Sequence, residues 1–281
     1  MGSIRIITDS TNDLSPELIR TNNIGVIPLY VVFGEQSFQD GVAITPEKVY
    51  QMVKETGSLP KTAAPTPADF YMAFKTALDQ GDDVIYIGLS SRISSTVVNA
   101  RLAAHELDEE RIKVIDSLNL STGIGLQVLK ACDLVREGKS LTEIEKELLA
   151  SVAKVRTAFV IDTLEFLYKG GRCSALQSII GTLLNIKPII KVSDGEMSLA
   201  QKTRKRNNAL KAIINNTLAD LPNMDLTRIM VTHSMGDADA AFLRSELLAA
   251  TKVKEVHITE AGCVISSHCG PNTVGILYML K

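Results

Sequence analysis

Apolar, β-branched runs alternate with helix-like stretches along the first half of the chain. Uniformly apolar runs are typical of strands that are buried on both faces of a parallel sheet. Three of the helix-like stretches begin with proline behind a serine or threonine, which is the pattern of a first helical turn and its N-cap. The predicted strands are Ile4–Thr8, Val26–Phe33, Val84–Leu89 and Lys113–Ile115, and the predicted helices are Pro16–Thr21, Pro46–Thr56, Pro67–Gln80, Val97–Leu107, Thr122–Glu137 and Thr142–Val152.

The pattern changes after Val155. The run Ser193–Glu196 predicts a tight hairpin turn, so the strands on its two sides are expected to be antiparallel. Further strands then alternate with helices. We therefore predict an α/β fold with two α/β domains, 1–154 with a parallel sheet covered by helices on both faces and 155–281 with a mixed sheet and helices, and a ligand between them. The strands predicted for the second half are Thr157–Ile161, Pro188–Val192, Met197–Gln201, Arg228–Thr232, Glu255–Thr259 and Val274–Leu280.

Composition narrows the class of protein. The 281 residues are 45% hydrophobic, carry a formal net charge of −2 and include no tryptophan, which argues against nucleic acid as a partner. Apolar runs stay well short of a membrane span, so we expect at most transient contact with a membrane surface. Residues Met1–Ser10 lack the charged and apolar pattern of a signal peptide, so we expect a cytoplasmic location.

The cysteines and short motifs argue against several kinds of site. A fourth ligand at zinc-site spacing is missing around Cys263, His268 and Cys269, so we expect no metal. A serine hydrolase would need a GxSxG elbow, which the chain lacks, and the SxxK match at Ser58–Lys61 contains a proline and has no partner motifs. None of the cysteines forms a CxxC pair, and we expect reduced thiols at Cys132, Cys173, Cys263 and Cys269.

Hydroxyl side chains follow the apolar run Val84–Leu89, and a helix-like stretch begins directly after them. A strand, a hydroxyl-rich loop and a helix N-terminus together suit an anion. The small neutral donors, without a GxxxxGK[ST] motif, fit one carboxylate better than a polyphosphate. Helix capping alone needs one hydroxyl, whereas this loop supplies Ser90, Ser91, Ser94, Ser95 and Thr96.

Three further polar clusters are expected at the same edge of the parallel sheet, namely Thr8–Thr11, Asp116–Ser117 and Lys61–Thr66. Asp9 is either a phosphoryl acceptor or, as we favour, a side chain that forms hydrogen bonds with the neighbouring loop backbone. His268, before a Gly-Pro turn, is either a structural histidine or part of a site.

Two basic features have two interpretations each. Arg172 follows Gly170-Gly171, which brings backbone close to another group, and it either packs between domains or contacts a ligand. The cluster Lys202–Arg206 is either a solvated helix start or a contact for an anionic partner.

Seven motifs, in the same order and spread over nearly the whole chain, resemble those of the DegV family. They are ITDST at the start, Thr62–Thr66, Ser91–Thr96, Val114–Ser117, Lys169–Arg172, Lys187–Ile190 and His268–Pro271. The resemblance implies two α/β domains with a long-chain fatty acid buried between them and no further cofactor. It also implies that the protein is the non-catalytic, acyl-carrying subunit of a fatty acid kinase, which presents the acid to a separate ATP-dependent kinase that forms acyl phosphate.

The resemblance further implies that Thr62 and Ser94 hold the carboxylate, with Ser95, His268 and Arg172 near the head group. The chain departs from the family pattern at three positions. The family often has glutamine at Ala64, glycine at Ser95 and glycine at Asn272. These departures bear on chain preference and on the geometry of the head group.

Two other functions compete with fatty acid binding. The first is a stand-alone phosphotransferase that uses Asp9 and the serine-rich loops. The second is a regulatory or interaction protein that depends on a fatty acid but has no kinase partner.

Overall fold

A computed structural model describes residues 3–172 and 186–281, so the predicted thiol of Cys173 lies outside the described residues. The first half contains the predicted parallel sheet. In spatial order the strands are β2 (Gly25–Ile27), β1 (Ile4–Asp9), β6 (Asp83–Gly88) and β7 (Ile112–Asp116). The helices are α1 (Pro16–Thr21), α2 (Pro46–Thr56), α3 (Pro67–Asp79), α4 (Thr96–Leu107), α5 (Thr122–Arg136) and α6 (Leu141–Val152). Helices α3 and α4 cover one face of this sheet, and helices α5 and α6 cover the other.

The predicted helix starts are confirmed. Each of α1, α2 and α3 has proline in its first turn, and the hydroxyl of the preceding residue accepts a backbone hydrogen bond. These N-cap residues are Ser15, Thr45 and Thr66.

The prediction of one strand over Val26–Phe33 is wrong. The strand is interrupted at Pro28, which lacks the N–H that a central strand needs. Its second part, β3 (Tyr30–Phe33), belongs to a separate antiparallel sheet with β4 (Gln36–Gln39) and β5 (Lys61–Ala63). Lys61–Thr66 therefore does not follow a strand of the parallel sheet, as the sequence led us to expect, but begins in this small sheet.

The second half contains a six-stranded mixed sheet, as predicted. In spatial order the strands are β10 (Glu196–Thr203), β9 (Lys187–Ser193), β8 (Val155–Val160), β13 (Thr273–Leu280), β11 (Met224–Ser234) and β12 (Glu255–Glu260). Among these described strands only the β11–β12 pair is parallel, and the hairpin turn lies at Asp194-Gly195 between β9 and β10. The helices are α7 (Glu165–Lys169), α8 (Arg206–Ala219), α9 (Asp237–Ala250) and α10 (Cys263–Cys269).

Helix α5 joins the two large sheets. It contacts β1 and β6 on one side and β8, β11 and β13 on the other. Eleven of its residues are buried, because both sides of the helix face a sheet. One hydrophobic core therefore runs from the parallel sheet to the mixed sheet. The strands of the mixed sheet all follow Lys154, while the boundary between residues 154 and 155 stays a prediction.

Candidate functional site

Helix α10 belongs to the second half in sequence but packs among elements of the first half. It contacts α2, β3, β5 and the 3₁₀ turn Ser10–Asn12, as well as α7. Two carboxylates accept hydrogen bonds from its first backbone N–H groups. Asp13 Oδ1 accepts from Gly262 N at 2.8 Å, and Asp40 Oδ1 accepts from Cys263 N at 2.7 Å. The first N–H groups of a helix have no partner within the helix, and an acceptor placed there interacts favourably with the positive end of the helix dipole. These two side chains therefore fix where α10 begins.

A chain of hydroxyl groups holds the middle of α10. Tyr50 of α2 lies 2.6 Å from Ser234 of β11, measured between the two hydroxyl oxygens, and Ser234 lies 2.8 Å from the hydroxyl of Ser266. Burial raises the pKa of the Tyr50 phenol well above its usual range, so this side chain is a neutral hydrogen-bonding group. The helix is thus tied to both halves of the molecule.

A pocket lies beside α10, between the two halves. Its wall atoms enclose about 520 Å³, including the part open to solvent. Most of the wall is apolar. Among the lining residues that the structure describes, the polar side chains apart from one cysteine are Thr62, Ser94, Arg172 and His268.

These are four of the five site residues that the sequence predicts, and the structure brings them together. The histidine and the threonine are in direct contact, with Thr62 Oγ1 2.9 Å from His268 Nε2. Burial first, and the nearby charge of Arg172 second, lower the pKa of His268 to about 4. The imidazole is therefore neutral near pH 7 and does not supply a positive charge.

Glycines allow the segment around α7 to pack closely against α10. A Cβ atom at Gly170 would lie 2.3 Å from Nδ1 of His268, and one at Gly270 would lie 2.7 Å from the ring of Phe166. Gly270 also has a φ of +78°, in the region that favours glycine. The Gly-Gly pair was predicted to bring backbone close to another group, and that group is His268. Arg172 is half-buried and donates from Nη1 to the carbonyl of Gly170 at 2.7 Å.

The serine loop contributes one of its two predicted residues to the pocket. Ser94 is half-buried, and its hydroxyl lies 2.7 Å from that of Thr96. Ser95 is exposed and lies outside the lining that the described residues form, so the structure does not place it beside a head group. Both serines precede the first residue of α4, Thr96, and they face different surroundings. The N-cap residue Ser95 makes no side-chain capping bond, whereas Ser94 Oγ accepts from the backbone N–H of Thr96 at 3.3 Å.

The other two departures from the family pattern have a clear structural setting. Ala64 lines the pocket, where a small side chain leaves more room than glutamine would. Asn272 has a φ of +58°, and asparagine tolerates this left-handed conformation better than most residues. The turn after α10 therefore keeps its shape without glycine at this position.

A second, inner cavity adjoins the pocket and shares the side chains of Leu120, Ile265 and Cys269 with it. Its wall atoms enclose about 320 Å³, including the part open to solvent. Hydroxyl groups around this inner cavity have partners within the protein. Thr157 donates to Asn119 Oδ1 at 2.8 Å, and Ser121 donates to Asp13 Oδ2 at 2.6 Å. The surface that faces the cavity is consequently apolar.

Asp9 does not meet the needs of the phosphotransferase alternative. It is completely buried, and its two oxygens accept from Leu89 N at 2.9 Å, Tyr86 OH at 2.8 Å and both donors of Thr11. Burial, opposed by these bonds, raises the pKa of its carboxyl. The favoured interpretation, that Asp9 binds loop backbone, agrees with these contacts, and Asp9 has no free oxygen to accept a phosphoryl group.

Residues 3–172 and 186–281 contain no group of three or more His, Cys, Asp or Glu side chains arranged to hold a metal ion. Within the same ranges, none of the helices is both long and apolar enough to cross a membrane.

Sequence reasoning missed the residues that position the site. Asp13 and Asp40 were not singled out, because their partners in α10 lie more than 200 positions away along the chain. Leu120 was not singled out either, since a residue that lines a cavity has the same pattern as a core residue. A partial signal existed at Gly170, where a pair of glycines indicated close packing.

Comparisons with known proteins agree with this fold. The family model described as "Uncharacterised protein, DegV family" matches residues 3–281. A DegV domain-containing protein of Caldanaerobacter subterraneus subsp. tengcongensis is 37% identical over 286 residues, which cover all of both chains. A fatty-acid-binding DegV family protein from Thermus thermophilus is 36% identical, with a TM-score of 0.92 and full coverage of both chains. DegV of Bacillus subtilis, a fatty acid binding protein, is 31% identical, with a TM-score of 0.89 over all of both chains. The chain therefore belongs to the DegV family.

Proposed function

We propose that this protein binds a long-chain fatty acid in the pocket between its two halves, with the carboxylate at Thr62 and Ser94 and the acyl chain extending past Leu120 into the inner cavity. The observation that carries the proposal is the polarity of the pocket. Thr62 and His268 are in contact, and Arg172 bonds to the carbonyl of Gly170, which lies against the same imidazole. Most of the remaining wall is apolar, as is the surface of the adjoining cavity.

The two ends of such a ligand contribute differently to binding. Each buried methylene contributes ~0.8 kcal/mol, so a chain of about 15 methylenes contributes roughly 12 kcal/mol before the costs of association. Hydroxyl donors and the N-terminus of α4 add about 1–3 kcal/mol at the carboxylate. The apolar wall accordingly sets the affinity, and the hydroxyls set the orientation.

The relatives support the ligand class. The Thermus thermophilus and Bacillus subtilis proteins bind fatty acids, and a protein from Eubacterium ventriosum that binds stearic acid is 25% identical with a TM-score of 0.90. These similarities span 99% or more of this chain.

We further propose that the protein is a cytoplasmic carrier, and that a separate ATP-dependent kinase phosphorylates the bound acid. The kinase would transfer the γ-phosphoryl group of ATP to a carboxylate oxygen, giving acyl phosphate and ADP. Exposed basic side chains are candidates for contact with the kinase. Of the cluster Lys202–Arg206, Arg206 is largely buried and bonds to Asp239, which leaves Lys202, Arg204 and Lys205 on the surface.

Mass spectrometry tests the ligand. The protein, purified from lipid-replete cells, is weighed under native conditions and then extracted under denaturing conditions. We expect a co-purifying long-chain acid in stoichiometric amount, and an empty protein would contradict the proposal. Turnover of ATP by the isolated chain would instead support the stand-alone enzyme.

A further inference from the structure

Ser90 belongs to the hydroxyl-rich loop, yet it neither caps α4 nor lines the pocket. Its side chain is completely buried, and its hydroxyl donates to the carbonyl of Gly195 at 2.9 Å. Gly195 lies in the turn between β9 and β10, so this bond joins the serine loop to the hairpin of the second half. Within the described ranges, no other side chain from outside the hairpin donates a hydrogen bond to residues 193–199, which we call the hairpin tip.

Close packing surrounds this hydrogen bond. Gly195 has a φ of +82°, in the region that favours glycine, and a Cβ atom there would lie 2.5 Å from Ser90 Oγ and 2.8 Å from Cγ of Arg92. The Ser90 hydroxyl also accepts from Arg92 N at 3.2 Å, and the Ser90 carbonyl accepts from Ser94 N at 3.2 Å. Ser90 therefore connects the hairpin tip to the loop that places Ser94 in the pocket.

The hairpin tip borders both the pocket and an open groove. Met197 of the tip lines the pocket. Ser193 and Asp194 of the tip line the groove, together with Arg156 of β8 and Asn216 of α8. The wall atoms of the groove enclose about 1320 Å³, including the part open to solvent. The groove therefore offers space into which the tip can bend when it leaves the pocket.

Strand pairing holds the hairpin tip less firmly than the base of the hairpin. Strand β9 pairs with β8 only as far as Val192, opposite Thr157, and β10 is the edge strand of the described sheet. The register of β10 shifts between Leu199 and Gln201, so that Ala200 forms a bulge. Bulges bend a strand and interrupt its pairing. The tip thus lies between two points at which the hairpin can bend.

We propose that the hairpin tip is the gate through which the acyl ligand enters and leaves the pocket, and that the Ser90 hydroxyl is its latch. This inference rests on the proposed function for the identity of the ligand. In the closed form Met197 completes the wall, and the bond from Ser90 to Gly195 is made in both the empty and the loaded protein. Its loss raises the open fraction equally in the two forms. Both rate constants of binding then increase, while their ratio, the dissociation constant, stays the same.

Stopped-flow measurements with a fluorescent fatty acid give the association and dissociation rate constants. We expect Ser90→Ala to raise both about fivefold, the value of one ordinary hydrogen bond, with a dissociation constant within about twofold of the wild type. Ser91→Ala is the matched control, because the Ser91 side chain makes no hydrogen bond within residues 3–172 and 186–281, and both of its rate constants should match the wild type. A change in one rate constant only, unchanged rates in Ser90→Ala, or equal increases in Ser91→Ala would overturn the inference.

A second variant loosens the tip without removing the Ser90 hydroxyl. A Cβ atom at Gly195 would lie 3.1 Å from Cδ2 of Leu118, so Leu118→Ala removes a side chain that packs against the turn. We expect both rate constants to rise in this variant too, by about two- to threefold. If Ser90→Ala does not fold, Leu118→Ala decides, and wild-type rates in it would overturn the inference.

Amide hydrogen exchange, followed by mass spectrometry, tests the latch without any ligand. Ser90→Ala should speed exchange about fivefold in residues 193–199 and leave β8 unchanged, whereas Ser91→Ala should exchange like the wild type. Unchanged exchange in the tip of Ser90→Ala overturns the inference even if the fatty acid binds. Faster exchange there in a protein that binds no fatty acid contradicts the proposed function, and the hairpin then has no ligand to admit.

Discussion

The carboxylate of Asp40 accepts a hydrogen bond from the backbone N–H of Cys263 at 2.7 Å, across 223 positions of sequence. Its other oxygen accepts from the hydroxyl of Ser10 at 2.9 Å and from Val264 N at 3.4 Å. The first half of the chain thereby sets where α10 begins, and the last turn of α10 carries His268, which contacts Thr62. The position of His268 in the pocket is therefore linked to a contact at the opposite end of one short helix.

We predict that Asp40→Asn destabilises the protein by about 1–3 kcal/mol, because an amide nitrogen would face Val264 N–H and leave buried donors without an acceptor. Urea unfolding measures the change in the free energy of unfolding. Asp194→Asn is the matched control, since Asp194 is exposed in the hairpin turn, and its effect should stay within about 0.5 kcal/mol. Equal stabilities for the two variants would show that Asp40 does not hold α10.

Removal of the hydroxyls from the head-group end should weaken ligand binding without unfolding the protein. We expect Thr62→Val and Ser94→Ala each to lose about tenfold in affinity for palmitate, since each removes one hydrogen bond to a charged group. Displacement of a fluorescent fatty acid measures the loss. Ser95→Ala is the control, because its side chain is exposed outside the pocket, and it should bind like the wild type.

We also expect Thr62→Ala and Ser94→Ala to slow acyl phosphate formation when the partner kinase is present. An unchanged rate in the double variant would remove the assignment of Thr62 and Ser94 to the carboxylate.

The contact between Gly170 and His268 leads to a separate prediction. Gly170→Ala places a methyl group 2.3 Å from Nδ1, so either the imidazole or the α7 segment must move, at a cost of about 1–3 kcal/mol. We expect weaker fatty acid binding than in Gly171→Ala. A Cβ at Gly171 meets no atom of residues 3–172 and 186–281 within 4 Å, although its φ of +70° strains any other residue. Similar binding by the two variants would mean that the contact is unimportant.

Local pattern predicted the sheets better than it predicted the site. Uninterrupted apolar runs such as Val84–Leu89 identified the parallel strands, because burial on both faces requires apolar residues throughout. The same reasoning failed at Val26–Phe33, where one missing N–H at Pro28 directs the chain into another sheet. Ser94 and Ser95 were grouped because they are adjacent, yet only one of them faces the pocket.

The remaining parts of the site arise from contacts between distant segments. Asp13 bonds to Gly262 across 249 positions, and Thr62 bonds to His268 across 206. Resemblance to the family supplied Thr62 and His268 but not the neutral state of the imidazole, which follows from its burial in the folded chain.

The inner cavity predicts a preference for chain length. Leu277 lines the inner cavity and not the pocket, so Leu277→Phe should shorten the space for the acyl chain. We expect stearate to lose more affinity than laurate, at ~0.8 kcal/mol for each methylene displaced. Leu247→Phe, which adds the same bulk at a buried position of α9, is the control for general overpacking. Parallel losses for both acids in Leu277→Phe would place the acyl chain elsewhere.

The depressed pKa of His268 predicts a component of stability that depends on pH. Its pKa is about 4 in the folded protein against an ordinary value of 6.5, so the unfolded chain binds more protons between these values and stability falls on acidification. This component is fully present above pH 6.5, and about 2 kcal/mol of it is lost at pH 5.

Chemical unfolding of the wild type and of His268→Gln at neutral pH and at pH 5 isolates the component, because Asp9, Asp13 and Asp40 titrate alike in both. We expect the wild type to lose about 2 kcal/mol more than His268→Gln on acidification. Equal losses would show that the imidazole is not held neutral by burial.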